Sequence, residues 1–140
     1  MIAGAEQIHM ESSRLEGVIA AFGDRLEQNA PMSRLTTAHV GGPADLLLEI
    51  KSSDELALAV TLLWGSDQPF LVLGDGSNVL VSDRGVRGVV LLNRAQKVRF
   101  AENSRPPLVW AESGASFGLI ARQAASRGLS GLEWAAGIPG

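Results

Sequence analysis

Cysteine and tyrosine are absent from this 140-residue chain, histidine occurs twice, and charged residues make up only 19%. Without cysteine there is no disulfide, no thiolate nucleophile and no zinc-thiolate site. His9 and His39 are too few and too far apart for a metal cluster, so no metal site is expected. Long apolar runs are missing too. Segments such as Asp45-Leu-Leu-Leu-Glu49 and Phe70-Leu-Val-Leu73 hold three or four hydrophobic residues in a row, against the roughly 18 that a membrane helix needs. The opening Met1-Ile-Ala-Gly-Ala-Glu6 lacks a basic segment followed by an apolar core. No secretory signal is therefore read, and the expectation is a cytoplasmic protein without membrane contact. A net charge of -3 offers no basic footprint for nucleic acid.

What the chain does have is apolar mass and glycine. Hydrophobic residues are 46% and glycines number 16, which together make about 57% of the sequence, above the roughly 45–50% of an ordinary globular domain. This composition excludes disorder, and the length allows one domain.

Leu15, Val18, Ile19, Phe22 and Leu26 fall on one helical face, predicting an amphipathic helix over 13–27 with Ser13 and Glu16 as a capping box, followed by a loop at 28–35. Short β-rich runs are predicted at 45–50, 70–73, 78–82, 88–92, 96–101 and 107–112. A helix follows the Ser52/Glu55 capping pair and, being apolar nearly all round, is expected to be mostly buried. Another starts at Ser116 and stops at Gly128. Closely spaced strands in succession predict an α+β fold with antiparallel or mixed pairing rather than a doubly wound parallel sheet.

The most informative segment joins two β-rich runs through Gly74-Asp-Gly-Ser-Asn78. Read alone, Asp75-Gly76 signals an ordinary hairpin, which is the better reading of this segment by itself. The alternative is that Gly74 and Gly76 expose successive backbone N–H groups as an anion nest, with Ser77 and Asn78 adding side-chain donors, an arrangement that suits a pyrophosphate. Asp75 would then turn away from the anion or accept from a ribose hydroxyl. The loop is neither a P-loop nor a G-x-G-x-x-G fingerprint. Glu112-Ser-Gly114-Ala-Ser116 delivers a helix N-terminus, plain as a turn but favourable to anions. Gly131-Leu-Glu-Trp-Ala-Ala-Gly-Ile-Pro-Gly140 is glycine-punctuated and lets backbone approach a flat ligand.

Arg34-Leu-Thr-Thr-Ala-His-Val-Gly-Gly-Pro-Ala44, Leu73-Gly-Asp-Gly-Ser-Asn-Val-Leu-Val-Ser-Asp-Arg-Gly85 and Gly131 to Gly140 occur in that order. Together they resemble the N-terminal part of the UDP-N-acetylenolpyruvoylglucosamine reductase family over residues 31–140. The resemblance implies an FAD-binding domain of the vanillyl-alcohol-oxidase type, with two α+β subdomains of which the second is incomplete. It divides the chain into a lead-in at 1–30 and the FAD domain at 31–140, without a substrate-binding domain. It also implies cofactor contacts from Gly74, Asp75, Gly76, Ser77, Asn78 and Val79, from Ser113, Gly114 and Ala115, and from Gly137, Ile138, Pro139 and Gly140. In the full enzyme, NADPH would be the reductant and a small nucleotide-sugar the substrate, with no obligate protein partner. Ala38 and Asp75 depart from the family's usual aromatic and second glycine. The family's catalytic arginine, serine proton donor and late glutamate match nothing before Gly140, so no catalytic residue is expected here and the chain alone is expected to be inactive. The alternatives are a non-catalytic flavoprotein fragment or another FAD oxidoreductase of the same fold.

Plainer roles are expected elsewhere. Thr36 and Thr37 read as strand entry, His39 as an exposed strand residue, and Glu112 and Glu133 as structural carboxylates. Trp64, Trp110 and Trp134 read as core or partly buried anchors, with Trp134 also a candidate cofactor contact. The basic residues Arg84, Arg87, Arg94, Lys97 and Arg99 read as a solvated face.

Overall fold

The computed structural model describes residues 15–135, 137 and 138. Residues 15–22 are helical (α1), and the chain then forms β1 Leu26–Pro31, β2 Pro43–Ile50, α2 Ser53–Gly65, β3 Phe70–Leu73, β4 Val86–Asn93, β5 Val98–Ala101, β6 Leu108–Ala111 and α3 Phe117–Ser126. The main sheet has the order β1-β2-β4-β3. β1 runs antiparallel to β2, whereas β2 and β3 both run parallel to β4. β5 and β6 make a separate antiparallel pair. The mixed pairing expected from the strand succession is present.

Period-two alternation gives the main sheet two buried faces. Leu48, Ile50, Val89 and Leu91 point toward Val18 and Phe22 of α1 and Ala59 and Leu63 of α2. Leu47, Val90 and Leu92 point the other way, where among the described residues no α-helix covers them. Met32, Leu35, Val79 and Val81 lie there instead, all from connecting segments. The predicted strand at 78–82 is corrected accordingly: these residues are irregular. Their alternation is real, with Val79 and Val81 inward and Leu80 exposed, but it serves an extended segment crossing a sheet face without joining the ladder.

Other expectations change at the N-terminal side. The helical pattern ends at residue 22, and Gly23–Arg25 form a 3-10 turn before β1. Leu26 packs on the helix-side core from β1, opposite Leu48, so its place in the helical series is a coincidence of spacing. The predicted loop at 28–35 is in its first half this strand. The boundary drawn at 30/31 falls inside β1. Thr36, Thr37 and His39 lie in turns, not in a strand, and His39 has φ +54. Ser13 lies outside the described residues.

The termini of the later helices follow their caps. Ser52 accepts from the Glu55 N–H and Ser116 from the Leu119 N–H. Glu55, rather than closing a box on Ser52, accepts the Lys51 N–H and pairs with Arg25 at 2.9 Å. The α3 end is a Schellman motif, in which Gly128 N–H donates to Ala125 and Leu129 N–H to Ala124. α2 is less buried than expected: Ala59 and Leu63 are covered, but Leu58 and Trp64 are exposed, because a helix on one sheet face has one covered side.

Candidate functional site

The Gly74–Val79 segment leaves the carboxyl end of β3 and does not form a hairpin, because the next strand, β4, runs parallel to β3. Residues 74–85 are therefore a long crossing connection, which removes the plain reading of Asp75-Gly76. Gly76 has φ +66, and a Cβ on it would stand 1.9 Å from the Leu35 carbonyl oxygen. Its own carbonyl accepts the Thr37 N–H at 3.1 Å. Glycine is required there on both counts. Gly42 makes the matching approach farther along, where a Cβ would meet the Asp83 oxygen at 2.0 Å. The Gly41-Gly42 and 81–85 segments thus lie backbone on backbone under the loop.

Gly74 differs from Gly76. Its φ is outside the left-handed region, and no heavy atom lies within 4 Å of where its Cβ would be. Nothing in the fold demands glycine at this position, and an open approach to the backbone is what its absent side chain provides. Ser77 and Asn78 beside it are exposed. Asp75 is paired with the Arg94 guanidinium, which neutralises the one negative charge in the loop.

The second predicted segment meets the first through the end of β4. Ser113 Oγ accepts from Asn93 Nδ2 at 2.9 Å, and Gly114 N–H donates to the Ala95 carbonyl at 2.9 Å. Arg94, between them in sequence, holds Asp75. Asn93, Arg94 and Ala95 therefore gather the Gly74–Val79 loop and the Ser113–Ala115 turn at the carboxyl edge of the parallel strands, the edge where open α/β sheets bind ligands. Sequence reasoning missed this tripeptide. The available signal was a polar Asn93 ending the apolar run Val89-Val-Leu-Leu92.

Gly137 and Ile138 are not tied to either loop by a hydrogen bond among the described residues; the Ile138 N–H donates to the Ala135 carbonyl at 3.4 Å. The Glu133–Ala135 turn packs on the start of α3, with Trp134 edge-on to Phe117 at 5.1 Å. Pro139 and Gly140 lie outside the described residues. The tryptophans are not core residues: Trp64 and Trp134 are exposed, and Trp110 is half exposed under Arg99. Trp134 donates to the Gly131 carbonyl.

Glu112 is buried and accepts the Lys97 N–H at 2.7 Å and the Ser53 N–H at 2.9 Å. These two backbone donors hold its carboxyl below the usual range. It fastens β5 and β6 to the N-terminus of α2 and is structural. Glu133 accepts the Gly131 N–H. The basic residues do not form one clamp, since Arg87 pairs with Asp45, Arg94 with Asp75, and Arg99 covers Trp110. Among the described residues no metal-holding group of acidic or histidine side chains occurs, and no helix is long and apolar enough to cross a membrane.

A mixed sheet with two glycine-bearing loops gathered at the carboxyl edge of its parallel strands is the architecture of a nucleotide-binding α+β module. The chain belongs to the FAD-binding domain family, whose model, described as FAD binding domain, matches residues 44–140. UDP-N-acetylenolpyruvoylglucosamine reductase of Rubrobacter xylanophilus is 48% identical over 125 residues, covering 89% of this chain and 41% of that protein. The protein of the same name from Chlamydia muridarum is 39% identical over 120 residues, covering 86% and 40%. The crystal structure of UDP-N-acetylenolpyruvylglucosamine reductase (MurB) from Thermus caldophilus superposes with a TM-score of 0.61 at 34% identity, covering 82% of this chain and 38% of that one. The chain spans about two fifths of the length of the curated relatives it matches. The α+β FAD-binding fold expected from the sequence is the fold found.

Proposed function

We propose that this chain is the FAD-binding part of an NADPH-dependent reductase that converts UDP-N-acetylglucosamine enolpyruvate to UDP-N-acetylmuramate, a step of peptidoglycan precursor synthesis. The reading extends to a cytoplasmic enzyme serving cell wall growth, cell shape and division, with a small nucleotide-sugar as substrate. Residues 31–140, with the rest of β1 that completes their sheet, would be the cofactor domain, and the substrate would be held by parts outside it.

The observation that carries the reading is the meeting of two polar, glycine-bearing loops at one sheet edge, with Gly74 open and unexplained by the fold. The donor set fits a dinucleotide. Backbone N–H groups of Gly74, Asp75, Gly76 and Val79, with the Ser77 and Asn78 side chains, would hold a pyrophosphate. From the second sheet's side Ser113 would add its hydroxyl, while Gly114 and Ala115, whose N–H groups donate to the Ala95 and Glu112 carbonyls, would line the approach with little side-chain bulk. Gly137 and Ile138, with Pro139 and Gly140, would lie along the flavin. Bound FAD would supply the hydride chemistry, and the protein's part is to bind and orient it. Arg94 keeps the Asp75 charge from opposing the phosphates.

The test is flavin retention. Purified chain should carry the visible absorbance of bound flavin, or take up added FAD with quenching of its fluorescence. A folded chain that does neither would overturn the assignment.

A further inference from the structure

We propose that Asn93 is a positioning residue for the phosphate contact, acting through Ser113; this rests on the reading just given. Asn93 is one of only three buried polar or charged residues among those described, and it is 5% exposed. Its orientation is fixed from inside the protein. The Ala95 N–H donates to Oδ1 at 3.1 Å, so the carbonyl side of the amide must face Ala95 and the NH2 side must face Ser113. An amide nitrogen has no lone pair to accept with. Ser113 Oγ is therefore an acceptor toward Asn93, and its own proton is forced to point elsewhere.

Ser113 is exposed, and among the described residues no acceptor takes that proton. The hydroxyl is thus a donor aimed outward, beside the Gly114 amide that is pinned to Ala95. One of its two lone pairs is already engaged, which polarises the O–H toward an anionic acceptor. A free hydroxyl has three staggered positions for its proton, and Asn93 fills one of them, so the proton is confined to the two that face away from Asn93 before any ligand arrives.

FAD titration of the 140-residue chain, followed by flavin fluorescence, tests this with four variants. Ser113→Ala should raise the FAD Kd about tenfold, the effect of one hydrogen bond to a charged acceptor. Ser113→Thr should restore most of the affinity. Asn93→Leu, nearly the same size and uncharged, should raise Kd about fivefold, as a neutral hydrogen bond lost would. In the Ser113→Ala background, Asn93→Leu should cost nothing further. A purely structural Asn93 would instead add its loss to that of Ser113→Ala, and that outcome overturns the proposal. So does Ser113→Ala binding FAD as tightly as the unaltered chain, which decides the matter even where Asn93→Leu fails to fold. Failure of the unaltered chain to bind FAD is a different result, which sinks the site assignment and this inference with it.

Discussion

Replacing Gly76 by alanine tests the claim that the site loop lies backbone on backbone against residues 35–37. Two costs can be worked from the geometry. A φ of +66 costs an L-residue about 1–2 kcal/mol. The added Cβ would lie 1.9 Å from the Leu35 oxygen, more than an ångström too close, and the obstacle is main chain that cannot swing aside. Relieving it requires the loop to lift and the 3.1 Å bond between Thr37 N–H and the Gly76 oxygen to break, for about 1 kcal/mol more. The sum is about 2–3 kcal/mol, which in a chain of this size lowers the thermal midpoint by about 7–10 °C. Gly74→Ala is the control two residues away. With ordinary φ and open space it should leave the midpoint unchanged or slightly raised, through the stiffer unfolded chain. Its effect should appear in weaker FAD uptake. Circular dichroism melts of both variants decide the matter. Equal midpoints for Gly76→Ala and the unaltered chain would refute the packing argument.

Arg25 beside Glu55 and the Lys51 N–H hold the Glu55 carboxyl down to about 2. A depressed carboxyl stabilises the fold fully above the ordinary value of 4.5, and that stability drains away as pH falls toward about 2. Because both side chains are about one-third exposed, solvent screening limits the effect to about 1 kcal/mol, and Glu55→Gln should flatten the acid limb of a stability profile in that window. Leu63→Ala, at a fully buried position between α2 and the sheet, should cost about 3 kcal/mol by urea unfolding. Glu112→Gln turns an amide NH2 toward one of two backbone donors, so the Ser53 and Lys97 N–H groups should exchange hydrogen faster, and retention of their full protection would contradict the fastening role.

Most of the fold could be read from the sequence because most of it rests on local signals. The Ser52 and Ser116 caps, the Gly128 terminus and the Phe70–Leu73 strand depend on neighbours within a few residues. The errors arise where distant chain decides. Leu26 satisfies a helical period yet belongs to β1, because pairing with Leu48 outweighs continuation past Gly23. Val79 and Val81 satisfy a strand period yet pair with nothing, since a sheet face buries alternate residues whether or not the segment bonds to a strand. For the site, the loops carried visible glycines, but Asn93, Arg94 and Ala95 carried no motif. Their role exists only once β4 has placed them between two loops 19 and 20 residues away.

That placement also sets how ligand and stability depend on each other. The helix-covered face of the main sheet holds itself together through apolar packing, but the joint to β5 and β6 rests on polar contacts: Asn93 to Ser113, Gly114 to Ala95, and Glu112 to Ser53 and Lys97. The proposed phosphate contacts lie on both sides of this joint. A dinucleotide touching Gly74–Val79 and Ser113–Ala115 together would tie the two sheets. Binding at a hundred times Kd adds about 2.7 kcal/mol to whatever unfolds with the site. If the joint opens before the main sheet, Gly114 and Lys97 should exchange faster than Leu91, deep under α2, in the absence of ligand, and saturating FAD should slow all three by about the same factor, because every opening that exposes them also releases the ligand. Equal exchange free energies at all three without FAD would mean that the sheets unfold as one unit and that the joint is no weaker than the core.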